Sequence, residues 1–335
     1  MSEPTRISLQ QLVDVLLDVD KPFNPRHLYR FSDLETSEIA ELAKFWPQVP
    51  VWRRLAIMED IEKLGDADSL LSFDAMCVYC LTDEDANVRE LALRSLWVYD
   101  LPQVVPSLLA LVQTDEATNV RAAGASALGK YVYLGELEEL KESTLHEVED
   151  RLIEIVRGSD AVDVRRRALE SLGFSSRSEV TALIEKAYNS GNESWLTSSL
   201  FSMGRSANQK WGAHLIEMLA SDSPEVRLEA VQALGELELK EARPRLLELL
   251  QDDNEEVRMS SAWSLSQIGG EGVQAALEAL YDIADNDEDA EYIASALENL
   301  ALTEEMGDLP LLELLDDEDD DDLFDLTEDD EDQPD

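Results

Sequence analysis

The chain is poor in positive charge. Its 335 residues carry 27 Lys and Arg against 74 Asp and Glu, a formal charge of −47. Binding to DNA or RNA rests on clustered Lys and Arg, so this composition argues against a nucleic-acid partner. The same field argues against anionic membrane surfaces. Cysteine is scarce too: two residues make no disulfide framework, which points to a reducing, cytoplasmic setting. With three histidines, no His-rich metal cluster can form. No stretch approaches the ~18–20 apolar residues of a membrane span. Met1 to Leu17 lacks the basic segment and apolar run of a signal peptide. Strand-like alternation is almost absent, and the 44% of hydrophobic residues is enough for a sizeable core. The chain therefore reads as all-α.

The charge is unevenly placed. From Met259 to Asp335 there is no Lys or Arg, and those 77 residues hold 27 acidic side chains. Asp316 to Asp335 alone holds 14. So dense a block of like charge repels itself and reads as a disordered, solvated tail. The boundary falls near Asp316.

What is present in quantity is a repeat. Its clearest copy runs Asp222, Val226, Arg227, Ala230, Ala233, Leu234, Gly235. Others read Glu84, Val88, Arg89, Ala92, Ser95, Leu96; Glu116, Val120, Arg121, Gly124, Ala127, Leu128, Gly129; Asp160, Val164, Arg165, Ala168, Ser171, Leu172, Gly173; and Asp253, Val257, Arg258, Ser261, Ser264, Leu265. A degenerate copy has Trp195 in the Val place, with Ser199, Met203 and Gly204. A weak last copy is Glu288, Tyr292, Ala296, Leu300. Val164, Trp195, Val226 and Val257 are each 31 residues apart, whereas Val120 to Val164 is 44. The surplus suggests a longer exposed connection around Tyr131 to Ser143.

Each unit reads as two helices. Apolar residues at offsets 0, 4 and 8 from the anchor share one face of the first helix. Small residues at offsets 4 and 7 permit close approach of neighbouring backbones. A Gly at offset 9 suits a left-handed C-terminal cap. The second helices are Pro106 to Val112, Val148 to Val156, Pro244 to Leu250 and Val273 to Leu280, with Pro106 and Pro244 in a first turn. Ahead of Thr82, Leu9 to Leu17 reads as a helix capped by Ser8, Ser37 could cap a helix through Trp46, and Trp52 to Leu64 with Ser69 to Leu81 form a diverged pair.

These D-x-x-x-V-R-x-x-A-x-x-A-L-G strings resemble the HEAT-repeat family, of the short type also seen in bilin-lyase-like proteins, over roughly Thr82 to Leu302. The resemblance implies an α-α superhelix of about seven or eight helical hairpins. It divides the chain into an N-terminal cap (1–81), a solenoid (82–315) and the acidic tail (316–335). It also implies that Arg89, Arg121, Arg165, Arg227 and Arg258, with Asp160, Asp222 and Asp253, form a structural ladder rather than a ligand site. The second helices would line the concave side. Function is not fixed by the fold, since the family spans scaffolds, transport receptors, chaperones and some enzymes.

Several motifs imitate chemistry. Gly124 to Lys130 has phosphate-loop spacing, but Tyr131 replaces the magnesium-binding hydroxyl and no strand precedes it. Cys77 and Cys80 form a CxxC without the second pair that zinc needs, and read as buried apolar residues. Asp285 to Asp289 starts like a calcium loop, but Ala290 and Ala296 stand where Gly and Glu are needed. His146-Glu147 is the only His-Glu pair, too few for the di-iron hydroxylases that share the fold. No cofactor or metal is assigned.

The reading that remains is a non-catalytic interaction scaffold or adaptor, its acidic surface steering protein partners with a basic surface. Leu323, Phe324, Asp325 and Leu326 interrupt the acid run and are a candidate partner-binding segment. Leu309 to Leu315 reads as the last solenoid helix. Two alternatives stand beside this: an acidic chaperone whose tail mimics a polyanion, and a lyase-like enzyme.

Overall fold

The computed structural model describes residues 7–284 and 286–307. The tail, Leu309 to Leu315 and Leu323 to Leu326 lie outside the described residues, as does Asp285. Among the described residues there is no strand. The chain divides into two compact units that meet in sequence at Leu237 and Glu238.

Unit 1 opens with α1 (Leu9–Leu17), α2 (Thr36–Leu42), α3 (Val51–Ala67) and α4 (Asp74–Cys80). Ser8 caps α1: its Oγ accepts the Gln11 N–H, and the Gln11 side chain accepts the Ser8 N–H. α2 starts after Glu35, not Ser37, and the Glu38 carboxylate accepts the Glu35 N–H. Four hairpins follow, each with the anchor helix first (V-R in three, Trp195-Leu196 in the fourth): α5 (Ala86–Ser95) and α6 (Val105–Thr114), α7 (Thr118–Glu136) and α8 (Glu142–Arg157), α9 (Val162–Ser171) and α10 (Ser178–Tyr188), α11 (Glu193–Arg205) and α12 (Gly212–Met218). α13 (Pro224–Glu236) closes the unit. Unit 2 holds α14 (Arg243–Leu249), α15 (Glu255–Ile268), α16 (Val273–Asp282) and α17 (Asp287–Gly307).

The first helices form for legible reasons. Asp85, Asn192, Ser223 and Asn254 stand three residues before the anchor and accept its N–H, satisfying an orphan donor of the first turn. The anchors Val88, Val120, Val164, Val226 and Val257 are buried, as are Leu96, Leu128, Leu172, Leu234 and Leu265. Each such side chain contributes about 1.5–3 kcal/mol of burial.

Three of these expectations change. The residues around Tyr131 to Ser143 are not a long exposed connection. α7 runs on to Glu136 with Tyr131, Val132 and Leu134 buried, so the surplus lengthens the hairpin. The offset-nine glycines are not left-handed caps: Gly129, Gly173, Gly204 and Gly235 are not among the positive-φ residues, whereas Glu138, Ala207 and Glu238, just beyond the ends of α7, α11 and α13, are. Gly129, Gly173 and Gly204 instead let neighbouring first helices touch. A Cβ on Gly204 would lie 2.9 Å from Ala233 Cα, and one on Gly173 would lie 3.0 Å from Ser202 Cα.

In unit 1 successive first helices pack along their lengths, whereas α6 and α8, both second helices, touch at few residues. The third change is at α17, where Ile293 rather than Tyr292 is buried with Ala296 and Leu300.

Candidate functional site: the exposed face of the first helices

The ladder residues come first, because they set how the face is aligned. Arg89 donates through Nε and Nη2 to both carboxylate oxygens of Asp115, each at 2.8 Å, and through Nη1 to the Asp83 carbonyl at 2.7 Å. Arg121 repeats this on Asp160 (2.9 and 2.7 Å) and the Asp115 carbonyl (2.8 Å). An earlier rung was not legible: Arg54 Nη1 reaches the Asp83 oxygens at 2.6 and 2.7 Å, and Trp46 Nε1 donates to the same carboxylate at 2.7 Å. Arg53 stands where the anchor Val should be, which hides α3 as a first helix. At Arg165 the pattern alters: it donates to the Val156 carbonyl and lies 5.3 Å from the Trp195 ring centre. Arg227 and Arg258 keep the main-chain part of the pattern, Arg227 donating through Nη1 to the Ser221 (2.8 Å) and Asp222 (3.4 Å) carbonyls and Arg258 to those of Asp252 (2.8 Å) and Asp253 (3.2 Å), while the Asp222 and Asp253 side chains are exposed.

The tempting motifs sit in plain helix. Gly124 to Lys130 lies inside α7, and Lys130 Nζ donates to the Trp97 carbonyl (2.6 Å) and pairs with Asp100 (2.7 Å). Cys77 and Cys80 are buried in α4, and burial pushes the Cys77 thiol up to about 12, the wrong direction for a nucleophile. Asn286 caps α17 by accepting the Asp289 N–H at 2.8 Å. Among the described residues no group of three or more metal-ligating side chains converges.

A different set of side chains is gathered on the open face. Phe201 and Phe174 stand six and ten residues after their anchors, on one stripe of a helix, and Trp97 and Tyr133 stand nine and thirteen after theirs. Tyr133 is near the end of α7, Trp97 and Phe174 follow the ends of α5 and α9, and Phe201 is midway along α11. Trp97 is 44% exposed and Tyr133 45%, unusual for such large apolar groups. The Tyr133 and Phe174 rings are 5.1 Å apart. Arg205 lies between two rings, 5.0 Å from the Phe174 centroid and 4.8 Å from that of Phe201, with Nε 3.5 Å from a Glu236 oxygen.

Below the rings α11 is rich in serine, and its small side chains leave room for carboxylates. Ser198 Oγ donates to Glu170 at 2.6 Å and accepts from Arg166 Nε at 2.8 Å, while Arg167 pairs with Glu170 at 2.5 Å. Ser202 Oγ donates to the Leu169 carbonyl at 3.2 Å, tying α11 to α9. On α13, burial pushes the Glu229 carboxyl up to about 7, helped by Glu170 and Glu236 and opposed by Arg167 and Arg205. Burial raises Glu236 as well, against Arg205. Clustered, shifted carboxylates beside exposed rings can hold a cation by charge and by π-face together.

Sequence reasoning missed this face. Trp97, Tyr133, Phe174 and Phe201 do not share one repeat offset, so no column of the repeat displays them. The available signal was the serine-rich α11, where the degenerate Trp195 unit departs from its neighbours.

Comparison with known proteins agrees with the architecture. The HEAT-repeat family matches residues 74–151 and 212–301. No curated protein matches the sequence. Among solved structures, the complex of CpcE and CpcF of phycocyanin lyase from Nostoc sp. PCC7120 is similar at 15% identity, over 84% of this chain and 97% of that one, with a TM-score of 0.50. Yeast importin-beta is similar at 12% identity, over 87% of this chain and 46% of that one, with a TM-score of 0.47. Human deoxyhypusine hydroxylase is similar at 18% identity, over 79% and 96%, with a TM-score of 0.36. The likeness to the phycocyanin lyase complex, at 15% identity, speaks to the fold alone, and nothing is drawn from the other two. Among the described residues no helix is long and apolar enough to cross a membrane. The two matched stretches make up half of the chain, which belongs to the HEAT-repeat family and is a helical repeat scaffold suited to protein interaction.

Proposed function

We propose that the protein is a non-catalytic cytoplasmic scaffold that holds a basic polypeptide along the exposed first-helix face of unit 1. The ladder arginines serve stacking in this reading, and the partner is engaged by rings and carboxylates. The observation that carries it is Arg205. Its guanidinium rests between Phe174 and Phe201 beside Glu236, so the face already holds one cation in the way it would hold a partner's. Tyr133, 5.1 Å from Phe174, continues the row, and Trp97 stands just past the end of α5; nearly half of each side chain is exposed. Cation–π contacts contribute about 0.5–2 kcal/mol each, and the formal charge of −47 raises the encounter rate with basic chains. Affinity for an arginine-rich peptide, with and without Trp97→Ala and Tyr133→Ala, tests the proposal. Loss on substitution supports it, and equal binding refutes it.

A further inference from the structure

Unit 2 carries a ring pair of its own. Trp263 on α15 and Tyr292 on α17 lie with ring centres 6.1 Å apart and planes inclined at 49°. They are 36% and 40% exposed. Two touching rings, both open to solvent, are more than a singly exposed side chain and ask for a reason.

The repeat says what this pair lacks. Trp263 stands six residues after the anchor Val257, as Phe201 stands six after Trp195. Four residues beyond Phe201, on the same stripe of α11, Arg205 lays its guanidinium 4.8 Å from the ring centre. Four residues beyond Trp263 stands Gln267, which has no charge. Among the described residues no guanidinium or ammonium lies over Trp263 or Tyr292. The α15 site thus repeats the α11 site without its internal cation.

Charge decides the occupant. Beyond Arg258 the chain has no Lys or Arg. Unit 2 holds four cations, and each is placed away from the rings. Arg258 is five residues before Trp263, on another side of α15, and donates to the Asp252 and Asp253 carbonyls. Arg245 pairs with Glu248, and Lys240 and Arg243 line a cavity with Gly269 and Gly270, past the end of α15. The stripes that carry the rings hold carboxylates instead: Glu256, seven residues before Trp263, and Glu288, four before Tyr292. Both are exposed, and among the described residues neither is in an ion pair.

We propose that the Trp263–Tyr292 pair binds one basic side chain of a partner polypeptide, its charged head lying against the rings as Arg205 lies against Phe201. The ring faces and the carboxylates on their stripes favour a cation. A neutral side chain gains apolar contact alone, and an anion meets only negative charge there. The partner's class rests on the function proposed above, but the site shares none of its residues, so either can fail alone.

The test labels the full chain with fluorotryptophan, assigns the Trp263 fluorine resonance with Trp263→Phe, and titrates with Nα-acetyl-arginine methylamide, the lysine analogue and the neutral citrulline analogue. A saturable shift is expected for arginine and lysine. Citrulline, and arginine on the Tyr292→Leu protein, should each bind more weakly by about five-fold or more. Gln267→Arg, which supplies the internal cation of α11, should remove the response. Trp97→Ala with Tyr133→Ala, which tests the unit 1 face, should leave it intact. Equal affinity for citrulline, unchanged binding in Tyr292→Leu or Gln267→Arg, loss in the unit 1 double variant, or no saturable shift would overturn the proposal.

Discussion

Asp115 receives the Arg89 guanidinium on both carboxylate oxygens at 2.8 Å, while its own carbonyl receives Arg121 at 2.8 Å. One aspartate therefore joins two consecutive hairpins, by side chain to the first helix before it and by main chain to the one after. Both partners are largely buried, at side-chain exposures of 15% and 6%. Removing one partner strands the other's charge, which costs more than the pair itself contributes. Arg89→Leu and Asp115→Ala should each destabilise unit 1 by about 2–4 kcal/mol in urea unfolding, and the double substitution by less than the sum.

The same pairs set the response to acid. Burial pushes the Asp115 carboxyl up, but Arg89 and the Ala117 N–H outweigh it and hold it below its ordinary value. Arg121 does the same for Asp160. A carboxylate with a depressed folded pKa contributes stability that is present above the unfolded value and lost as pH falls through the folded one. Stability should therefore drop below about pH 4. Asp160→Asn should flatten that drop while lowering stability at pH 7.

Glu229 has the opposite sign. Its folded pKa is raised to about 7, so between its ordinary value of 4.5 and about 7 the folded state binds more protons than the unfolded one. Stability falls as pH rises across that window and is level above it. Glu229→Gln should remove this slope and stabilise the protein at pH 8 by about 1–2 kcal/mol, less than the full shift implies because the residue is partly exposed. Binding of a basic peptide should tighten from pH 6 to pH 8 in the parent and not in the variant.

Two glycine substitutions separate close approach from helix propensity. At Gly65, inside α3, the nearest atom to an added Cβ is the Tyr99 hydroxyl at 3.6 Å, ordinary contact. Gly65→Ala should stabilise by about 0.5–1 kcal/mol. At Gly204 the nearest atoms include Ala233 Cα at 2.9 Å, which is backbone and does not swing away. Overpacking of about 1–3 kcal/mol outweighs the propensity gain, so Gly204→Ala should lower the unfolding midpoint.

The hairpins were legible because anchor, Arg and small residue recur at fixed spacing, and that periodicity is what packing requires. Residues that work by exception were hidden. Arg54 is a ladder arginine preceded by Arg53 instead of Val, so the α3 unit looked merely diverged. Gly129 and Gly204 were seen at the right offset and given the wrong role, because a sequence shows that a glycine is needed but not whether a turn or a neighbour needs it. The ladder carboxylate was placed on Asp222 and Asp253, whereas Asp83 and Asp115 stand five residues before the anchor, one earlier. The aromatic face was invisible because Tyr133, Phe174 and Phe201 come together, around Arg205, only after the hairpins stack.

The most direct measurement of the central claim is the affinity of an arginine-rich peptide for the full chain at fixed salt, against two variants. One carries Trp97→Ala with Tyr133→Ala, and the other lacks residues 316–335. Binding through the first-helix face predicts a loss of about ten-fold or more in the double variant and a smaller, salt-sensitive loss without the tail. Unchanged affinity in the double variant together with abolished binding in the truncated chain would contradict it, and would assign the cation-binding role to the acidic tail.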